Sequence, residues 1–335
     1  MSQIETTAED WMAPPAEPEN LPAEHAETWT LVRGRVVELA RRFGWSRGEI
    51  AKRSGVSAGT LYPWLDGTTK GRYDTTAERL RKWLDSVEEL SVAAARVPAA
   101  PGFVELPTSR KMIDTLLYAQ MMPEMVIVNL GAGLTKTITA KHYADNRPHV
   151  FLVTMRPTTA STNNMLRELC EVFDIRERDP AKLDRAIGEK LKRNGRNTLL
   201  IVDEAQELTD QAVNQLRSYL DLYGVGIALL GNEELYSRFG GSKPKPAYAQ
   251  LHGRTGMRLQ QLQPSDDDIS MLLDAWQLDD PALRRLATAI ARKPGALRQM
   301  TKTLQLAGIY AAGEQRDISI DDVKAAIRNR GLEDH

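Results

Sequence analysis

The chain has 335 residues, 42% hydrophobic and 27% charged, which predicts about two or three domains of an ordinary soluble protein. No apolar run approaches the roughly 20 residues that a membrane-spanning helix needs, and the acidic start does not resemble a signal peptide. The single cysteine, Cys170, excludes an intramolecular disulfide and a multi-cysteine metal site. We therefore expect a cytoplasmic protein that has no membrane partner.

Residues 1–28 predict a disordered acidic tail. They contain seven acids and no Lys or Arg, and they are rich in Pro and Ala, so they lack the apolar surface that an independent fold must bury. Residues 29–90 are mildly basic by contrast. An acidic tail in front of a basic module weakly indicates nucleic acid as a partner, although ordinary solvated faces explain the charges equally well.

The stretch SRGEIAKRSGVSAGTLYPWLDG, residues 46–67, predicts a helix-turn-helix within an all-α domain of residues 29–90. Gly55 supplies the turn, and Leu61 and Trp64 anchor the second helix, which this geometry directs towards a DNA major groove. A helical domain that binds protein remains the alternative. The candidate DNA contacts are Lys52, Arg53, Ser57 and Thr60.

Residues 91–109 are rich in Ala and Pro without sustained periodicity and predict a linker. In residues 110–264, four short apolar runs alternate with helical patterns: MVIVNL, HVFLVTM, TLLIVDE and GVGIALLGN. Such alternation predicts a doubly wound α/β core with a parallel sheet and a ligand at the carboxyl ends of the strands.

The first of these runs leads into GAGLTKT, which has the shape of a phosphate-binding loop. Aligned on its Lys-Thr pair, the usual G-x-x-x-x-G-K-[ST] pattern has glycines where this chain has Leu130 and Thr135. A β-branched threonine should strain a turn in which glycine is normally required. The candidate nucleotide-binding residues are Gly131, Ala132, Gly133, Leu134, Thr135, Lys136 and Thr137.

Further candidates follow the later apolar runs in the order that an ATPase site requires. Asp203, with the hydroxyl of Thr137, is suited to hold Mg²⁺, and Glu204 is suited to polarise the attacking water. An acidic cap on the next helix is the alternative for this pair. Asn232 could orient the same water, and Arg298 at a helix start could contact the γ-phosphate.

These four elements resemble the AAA+ ATPases: a Walker A-like loop, the Walker B run LLIVDE, sensor 1 at Asn232 and sensor 2 in GALR. Residues 30–329 resemble more closely the B transposition proteins of Mu-like transposable phages, notably in DEAQEL, LLGNEELYSRF and HGRTGMRLQ. The resemblance implies an AAA+ P-loop core, ATP and Mg²⁺ as cofactors, and DNA-stimulated ATP hydrolysis, slowed by the atypical loop. It also implies a helical homo-oligomer on double-stranded DNA that recruits and stimulates a transposase in the cytoplasm of a bacterial host.

The same resemblance implies an arginine finger from a neighbouring subunit, with Arg254 as first candidate and Arg258 as second. Surface contact with the lid is the alternative role for both. It further places DNA contacts after the second core strand, at Arg156, Thr158 and Thr159, where an exposed polar loop would look the same.

Residues 265–335 contain four helical patterns, with Ser265 and Ser319 as N-caps, and they suit a C-terminal helical lid that carries Arg298. Two other functions stay open. Thr135 favours a non-hydrolysing DNA-binding adaptor with a degenerate nucleotide site. An AAA+ ATPase of another machine, such as secretion or plasmid maintenance, fits the core but not the helix-turn-helix module.

Overall fold

The computed structural model describes residues 10–13, 21, 23–69, 72–96, 99–240, 251 and 253–332. The chain divides into two compact units, residues 1–97 and residues 98–335. Within the described ranges, no helix combines the length and the apolar character that crossing a membrane requires.

The first unit is all-helical, as predicted, and contains the two short helices of the helix-turn-helix. Ser46 begins α2 with a capping box to Glu49, and Gly55 ends it at φ 69°, a left-handed conformation that favours glycine. Leu61 and Trp64 are fully buried in its core. The helices are α1 (Ala23–Phe43), α2 (Arg47–Ser54), α3 (Ala58–Leu65) and α4 (Tyr73–Arg96).

The predicted extent of the acidic tail needs correction. Helix α1 begins at Ala23, inside the segment expected to be disordered, because its side chains at Trp29 and Val32 pack into the core. Trp11 is also buried, and Arg33 donates a hydrogen bond to its carbonyl oxygen. Residues 1–9, 14–20 and 22 of the predicted tail lie outside the described residues.

Both neighbouring helices extend into the predicted linker of residues 91–109. Helix α4 continues to Arg96 because its Ala-rich end favours helix, and α5 begins at Pro107, a residue suited to the first position of a helix.

The second unit contains the predicted parallel sheet, which confirms the doubly wound α/β core. Five parallel strands lie in the order β2-β3-β4-β1-β5, with apolar side chains buried on both faces. The strands are β1 (Met125–Leu130), β2 (Val150–Thr154), β3 (Leu199–Asp203), β4 (Gly226–Gly231) and β5 (Thr255–Gln261). The helices of this core are α5 (Pro107–Met121), α6 (Lys136–Asp145), α7 (Thr162–Val172), α8 (Leu183–Asn194), α9 (Asp210–Tyr223) and the short α10 (Glu233–Leu235).

Four helices form the C-terminal lid around a core of their own. Ser265 forms a capping box with Asp268, and Ser319 forms one with Asp322, as predicted. The lid is joined to the first turn of α5, where Thr108 donates both its backbone N–H and its hydroxyl to Asp268. The lid helices are α11 (Asp266–Ala275), α12 (Pro281–Ala291), α13 (Ala296–Gly313) and α14 (Ile320–Asn329).

Candidate nucleotide-binding site

The loop of residues 131–135 connects β1 to α6 and is enclosed by backbone from both sides. A Cβ on Gly131 would lie 2.2 Å from the carbonyl oxygen of Leu262, and one on Gly133 would lie 2.0 Å from that of Gly295. Gly133 also has a φ of 82°. Both glycines are therefore required by the close approach of carbonyl groups, independently of any ligand.

Thr135 occupies the position at which the usual motif has its last glycine, and its backbone is left-handed, with φ 53° and ψ 3°. A β-branched residue rarely adopts this conformation. Its hydroxyl lies 3.1 Å from that of Ser109, near the start of α5. The strain expected from the sequence is thus present at this position, together with a side-chain contact that the sequence pattern did not indicate.

Lys136 and Thr137, the first residues of α6, connect the loop to two neighbouring strands. The Lys136 Nζ donates to the carbonyl oxygen of Gly231, at the end of β4, over 2.8 Å. The Thr137 Oγ1 donates to Oδ2 of Asp203, at the end of β3, over 2.7 Å. Residues separated by more than 60 positions in the chain therefore meet at the carboxyl edge of the sheet, where the sequence analysis places a ligand.

Asp203 and Glu204 differ in burial and in partners. The Asp203 side chain is fully buried, and its Oδ1 accepts the backbone N–H of Glu204. Glu204 has a left-handed backbone, with φ 54°, and its Oε2 accepts a 2.5 Å hydrogen bond from Nε2 of Gln206. Glu204 holds the N-cap position of the short turn Ala205–Glu207, but its side chain makes no capping hydrogen bond there, and Thr209 caps α9. Neither carboxylate therefore acts as a cap of these two elements.

Gln206 is a site residue that the sequence analysis missed. Besides its bond to Glu204, it packs against the backbone of Gly231, where a Cβ would lie 2.7 Å from the Gln206 Oε1. Its position two residues after Glu204 in DEAQEL is the only sequence signal that points to it.

Asn232 directly follows β4, and Arg298 lies at the start of a lid helix. Asn232 is exposed at the end of β4, where its Oδ1 accepts the N–H groups of Glu234 and Leu235 and so caps α10. Arg298 is exposed in the first turn of α13, and its Cβ lies 3.2 Å from the position that a Cβ on Gly133 would occupy. The lid therefore places Arg298 beside the loop, while the observed contacts of Asn232 are structural.

The two arginine-finger candidates make contacts within their own chain. The Arg254 Nε donates to Oδ1 of Asp221, on the core helix α9, over 2.6 Å. Arg258, on β5, contacts the carbonyl oxygen of Thr255 through Nη1, whereas its Nε and Nη2 are buried and have no hydrogen-bond partner among the residues that the structure describes. Neither contact involves the lid, which was the alternative role expected for them.

The three candidate DNA contacts that follow β2 differ in solvent exposure. Arg156 and Thr158 are exposed, and Arg156 forms a 2.5 Å ion pair with Glu168. Thr159 is only 4% exposed, and its hydroxyl bonds to the backbone N–H and carbonyl of Arg156 within a tight turn. The prediction of a DNA contact at Thr159 is therefore wrong for the described structure, because the hydroxyl stabilises the turn.

The four candidates in the first unit are all exposed around α2 and α3. The Arg53 guanidinium stacks 4.2 Å from the ring centroid of Trp45, and the hydroxyls of Ser57 and Thr60 are 2.9 Å apart. Lys52 and Arg53 thus lie in the last turn of α2, while Ser57 and Thr60 lie at the start of α3, and all four are accessible to a ligand.

Comparison with known families gives two matches, both within the second unit. Residues 126–239 match an AAA domain, and residues 253–329 match the Mu B transposition protein, C-terminal. The archaeal Cdc6p of Pyrobaculum aerophilum has a similar fold, with a TM-score of 0.53 at 15% identity over 70% of each chain. The Aeropyrum pernix ORC1 protein, solved in complex with DNA, has a TM-score of 0.53 at 14% identity, covering 71% of this chain and 69% of that one.

Two curated relatives are similar over most of the chain. The Mu-like prophage FluMu DNA transposition protein B of Haemophilus influenzae is 31% identical over 262 residues, which cover 77% of this chain and 90% of that protein. The ATP-dependent target DNA activator B of Escherichia phage Mu is 29% identical over 287 residues, which cover 85% of this chain and 90% of that protein.

Proposed function

Because the chain belongs to the family of Mu B transposition proteins, we propose that it is a DNA-stimulated ATPase that activates target DNA for transposition. The relative from phage Mu is named an ATP-dependent target DNA activator. The observation that carries the proposal is the 2.7 Å hydrogen bond between Thr137 and Asp203. It joins the end of the phosphate-type loop to the end of β3, which is the pairing that a magnesium nucleotide requires.

The residues around the loop fit a nucleoside triphosphate with Mg²⁺. The Lys136 ammonium has three N–H donors and uses one for the carbonyl oxygen of Gly231, so the other two can bind phosphate oxygens. The Thr137 hydroxyl and the Asp203 carboxylate are oxygen ligands of the kind that Mg²⁺ accepts alongside water and phosphate. Bound Mg²⁺ would supply charge neutralisation at the β- and γ-phosphates.

Four side chains would serve hydrolysis. Gln206 donates a hydrogen bond to Glu204. The Glu204 carboxylate would orient the attacking water and accept a proton from it. Asn232 would assist once its capping contact is exchanged for that water. Arg298 on the lid would add positive charge next to the loop. Arg254, or else Arg258, would act on the nucleotide of a neighbouring subunit after leaving its contact within its own chain.

On DNA we propose a helical homo-oligomer that recruits and stimulates a transposase, in the cytoplasm of a bacterial host. Lys52 and Arg53 in the first unit and Arg156 in the second would contact phosphates. Ser57, Thr60 and Thr158 would add neutral hydrogen bonds. This assignment follows from their exposure and from the name of the phage Mu relative.

The test is ATP turnover by the full chain, with and without duplex DNA, beside Lys136→Ala. We expect turnover that duplex DNA stimulates and that Lys136→Ala abolishes, because the lysine is the main positive charge on the loop. Turnover of equal size in Lys136→Ala would place the reaction elsewhere and refute the site.

A second candidate function is a DNA-binding adaptor that does not hydrolyse ATP. The left-handed Thr135 favours it, because this residue departs from the motif at the lysine-proximal position. Nucleotide and DNA binding without turnover, in the presence of Mg²⁺ and duplex, would select the adaptor over the ATPase.

A further inference from the structure

Three hydroxyl groups meet at the start of α6, on the side of the loop that faces α5. The Ser109 hydroxyl lies 3.1 Å from that of Thr135 and accepts a hydrogen bond of 3.1 Å from that of Thr139. Thr139 also contacts the Thr135 hydroxyl, at 3.5 Å. Ser109 and Thr139 are fully buried, whereas Thr135 is half-buried, and these three residues form the hydroxyl triad.

The triad surrounds the one residue of the loop that needs unusual support. Thr135 is left-handed although it is β-branched, and α6 begins at the next residue, so its backbone angles set the direction of Lys136 and Thr137. Glycine reaches this conformation without side-chain help. A threonine must be held there, and the triad supplies hydrogen bonds that are made only when the Thr135 side chain lies against α5.

We propose that Ser109 and Thr139 are positioning residues that hold Thr135 in the conformation the phosphate loop requires, and so replace the missing glycine. The inference rests on the proposed function, since it concerns nucleotide binding by this loop. It also identifies α5 as the support of the site. Ser109 follows Thr108, which is bonded to Asp268, so two consecutive residues connect the loop and the lid.

The experiment is a double-mutant cycle on the full chain, in which mant-ATP is titrated with Mg²⁺ and without DNA. The four proteins are the natural chain, Ser109→Ala, Thr135→Gly and the double variant. We expect Ser109→Ala to weaken mant-ATP binding about five-fold, equivalent to about 1 kcal/mol. In the Thr135→Gly background the same change should alter affinity less than about two-fold, because glycine needs no support.

Two further variants separate positioning from a general loss of packing. Thr135→Val keeps the branched shape without the hydroxyl and should bind mant-ATP about as weakly as Ser109→Ala. Thr115→Val is the matched control: Thr115 is also buried on α5, but its hydroxyl bonds to the carbonyl of Lys111, away from the loop. It should bind like the natural chain.

Equal weakening by Ser109→Ala in both backgrounds, or a Thr115→Val defect of the same size, would overturn the proposal. If the natural chain does not bind mant-ATP, the proposed function fails separately. Thermal unfolding of the same four proteins without nucleotide then still decides the inference: Ser109→Ala must lower the unfolding temperature more with Thr135 than with glycine at that position, and an equal decrease refutes it.

Discussion

Asp268 offers the sharpest test of how the lid is attached to the nucleotide-binding core. Its carboxylate is fully buried and accepts four hydrogen bonds of 2.6 to 2.9 Å, from the backbone N–H and hydroxyl of Thr108 and of Ser265. Thr108 belongs to α5 and Ser265 caps α11, so one side chain connects the two. We expect Asp268→Asn to destabilise the second unit while preserving side-chain volume.

The size of the effect follows from the hydrogen bonds that are lost. An asparagine retains one carbonyl oxygen and presents an NH₂ group to donors that previously met an acceptor. Three of the four donors meet Oδ2, where the asparagine oxygen can retain them, so the change loses the bond from the Thr108 N–H to Oδ1 and weakens the other three by removing the charge. A hydrogen bond to a charged group contributes about 1.5–3 kcal/mol, so the total cost should be about 3 kcal/mol. For a unit of this size that corresponds to a fall of roughly 6–12 °C in unfolding temperature.

The assay is thermal and urea unfolding followed by far-ultraviolet circular dichroism at pH 7. Asp267→Asn is the matched control, because Asp267 carries the same charge in the same turn of α11 but is exposed. It should cost no more than about 0.5 kcal/mol through the helix dipole. If Asp268→Asn and Asp267→Asn shift the unfolding temperature equally, the buried carboxylate does not hold the lid as argued.

The pH dependence of the unfolding free energy provides an independent check on the role of Asp268. Burial alone would raise the pKa of Asp268, but the hydrogen bonds from Thr108 and Ser265 outweigh it, so the pKa lies below its ordinary value. The stabilisation is therefore complete above the pKa of an unfolded aspartate, about 3.9, and is lost as the pH falls towards the folded pKa. The stability difference between the natural chain and Asp268→Asn should narrow below about pH 4.

Two other predictions concern turnover and DNA. Glu204→Gln should bind ATP with near-natural affinity but turn it over about 10²–10⁴-fold more slowly, because the amide cannot accept the proton of the water; undiminished steady-state turnover would contradict this role. Lys52→Ala should reduce the slope of log affinity for duplex DNA against log salt by about 0.9, the value for one phosphate contact. Lys192→Ala, an exposed lysine on α8, serves as its control, and an unchanged Lys52→Ala slope would remove the helix-turn-helix from the phosphate contacts.

The core was readable from the sequence because buried parallel strands leave continuous apolar runs, such as MVIVNL and LLIVD. The edge strand β5 left no such run, since TGMRLQQ is half exposed and polar. The candidate catalytic residues were predicted from their order after the strands. Ser109 and Gln206 were not, because their roles arise from contacts with Thr135, Glu204 and Gly231 that only the folded chain creates.

Segment composition predicted side-chain exposure incorrectly at positions where tertiary packing determines it. MRPTTAS reads as an exposed polar loop, yet Thr159 turns its hydroxyl inward to close a tight turn. The acidic composition of residues 1–28 likewise conceals Trp11, which is buried in the helical core. Both errors come from averaging over a segment in which one side chain is buried and its neighbours are not.

The backbone constraints at Gly133 and at Thr135 differ, and this difference can be tested. Gly133 excludes any side chain, because its Cβ would collide with the carbonyl of Gly295 and its φ is 82°. Thr135 needs only an unusual φ, which hydrogen bonds to a side chain can stabilise. Gly133→Ala should therefore weaken mant-ATP binding more than ten-fold by displacing the lid backbone beside Arg298, whereas Thr135→Gly should bind at least as tightly as the natural chain. If Gly133→Ala binds mant-ATP within two-fold of the natural chain, the close approach of the lid to the loop does not govern nucleotide binding, and the tolerance of threonine at position 135 needs another cause.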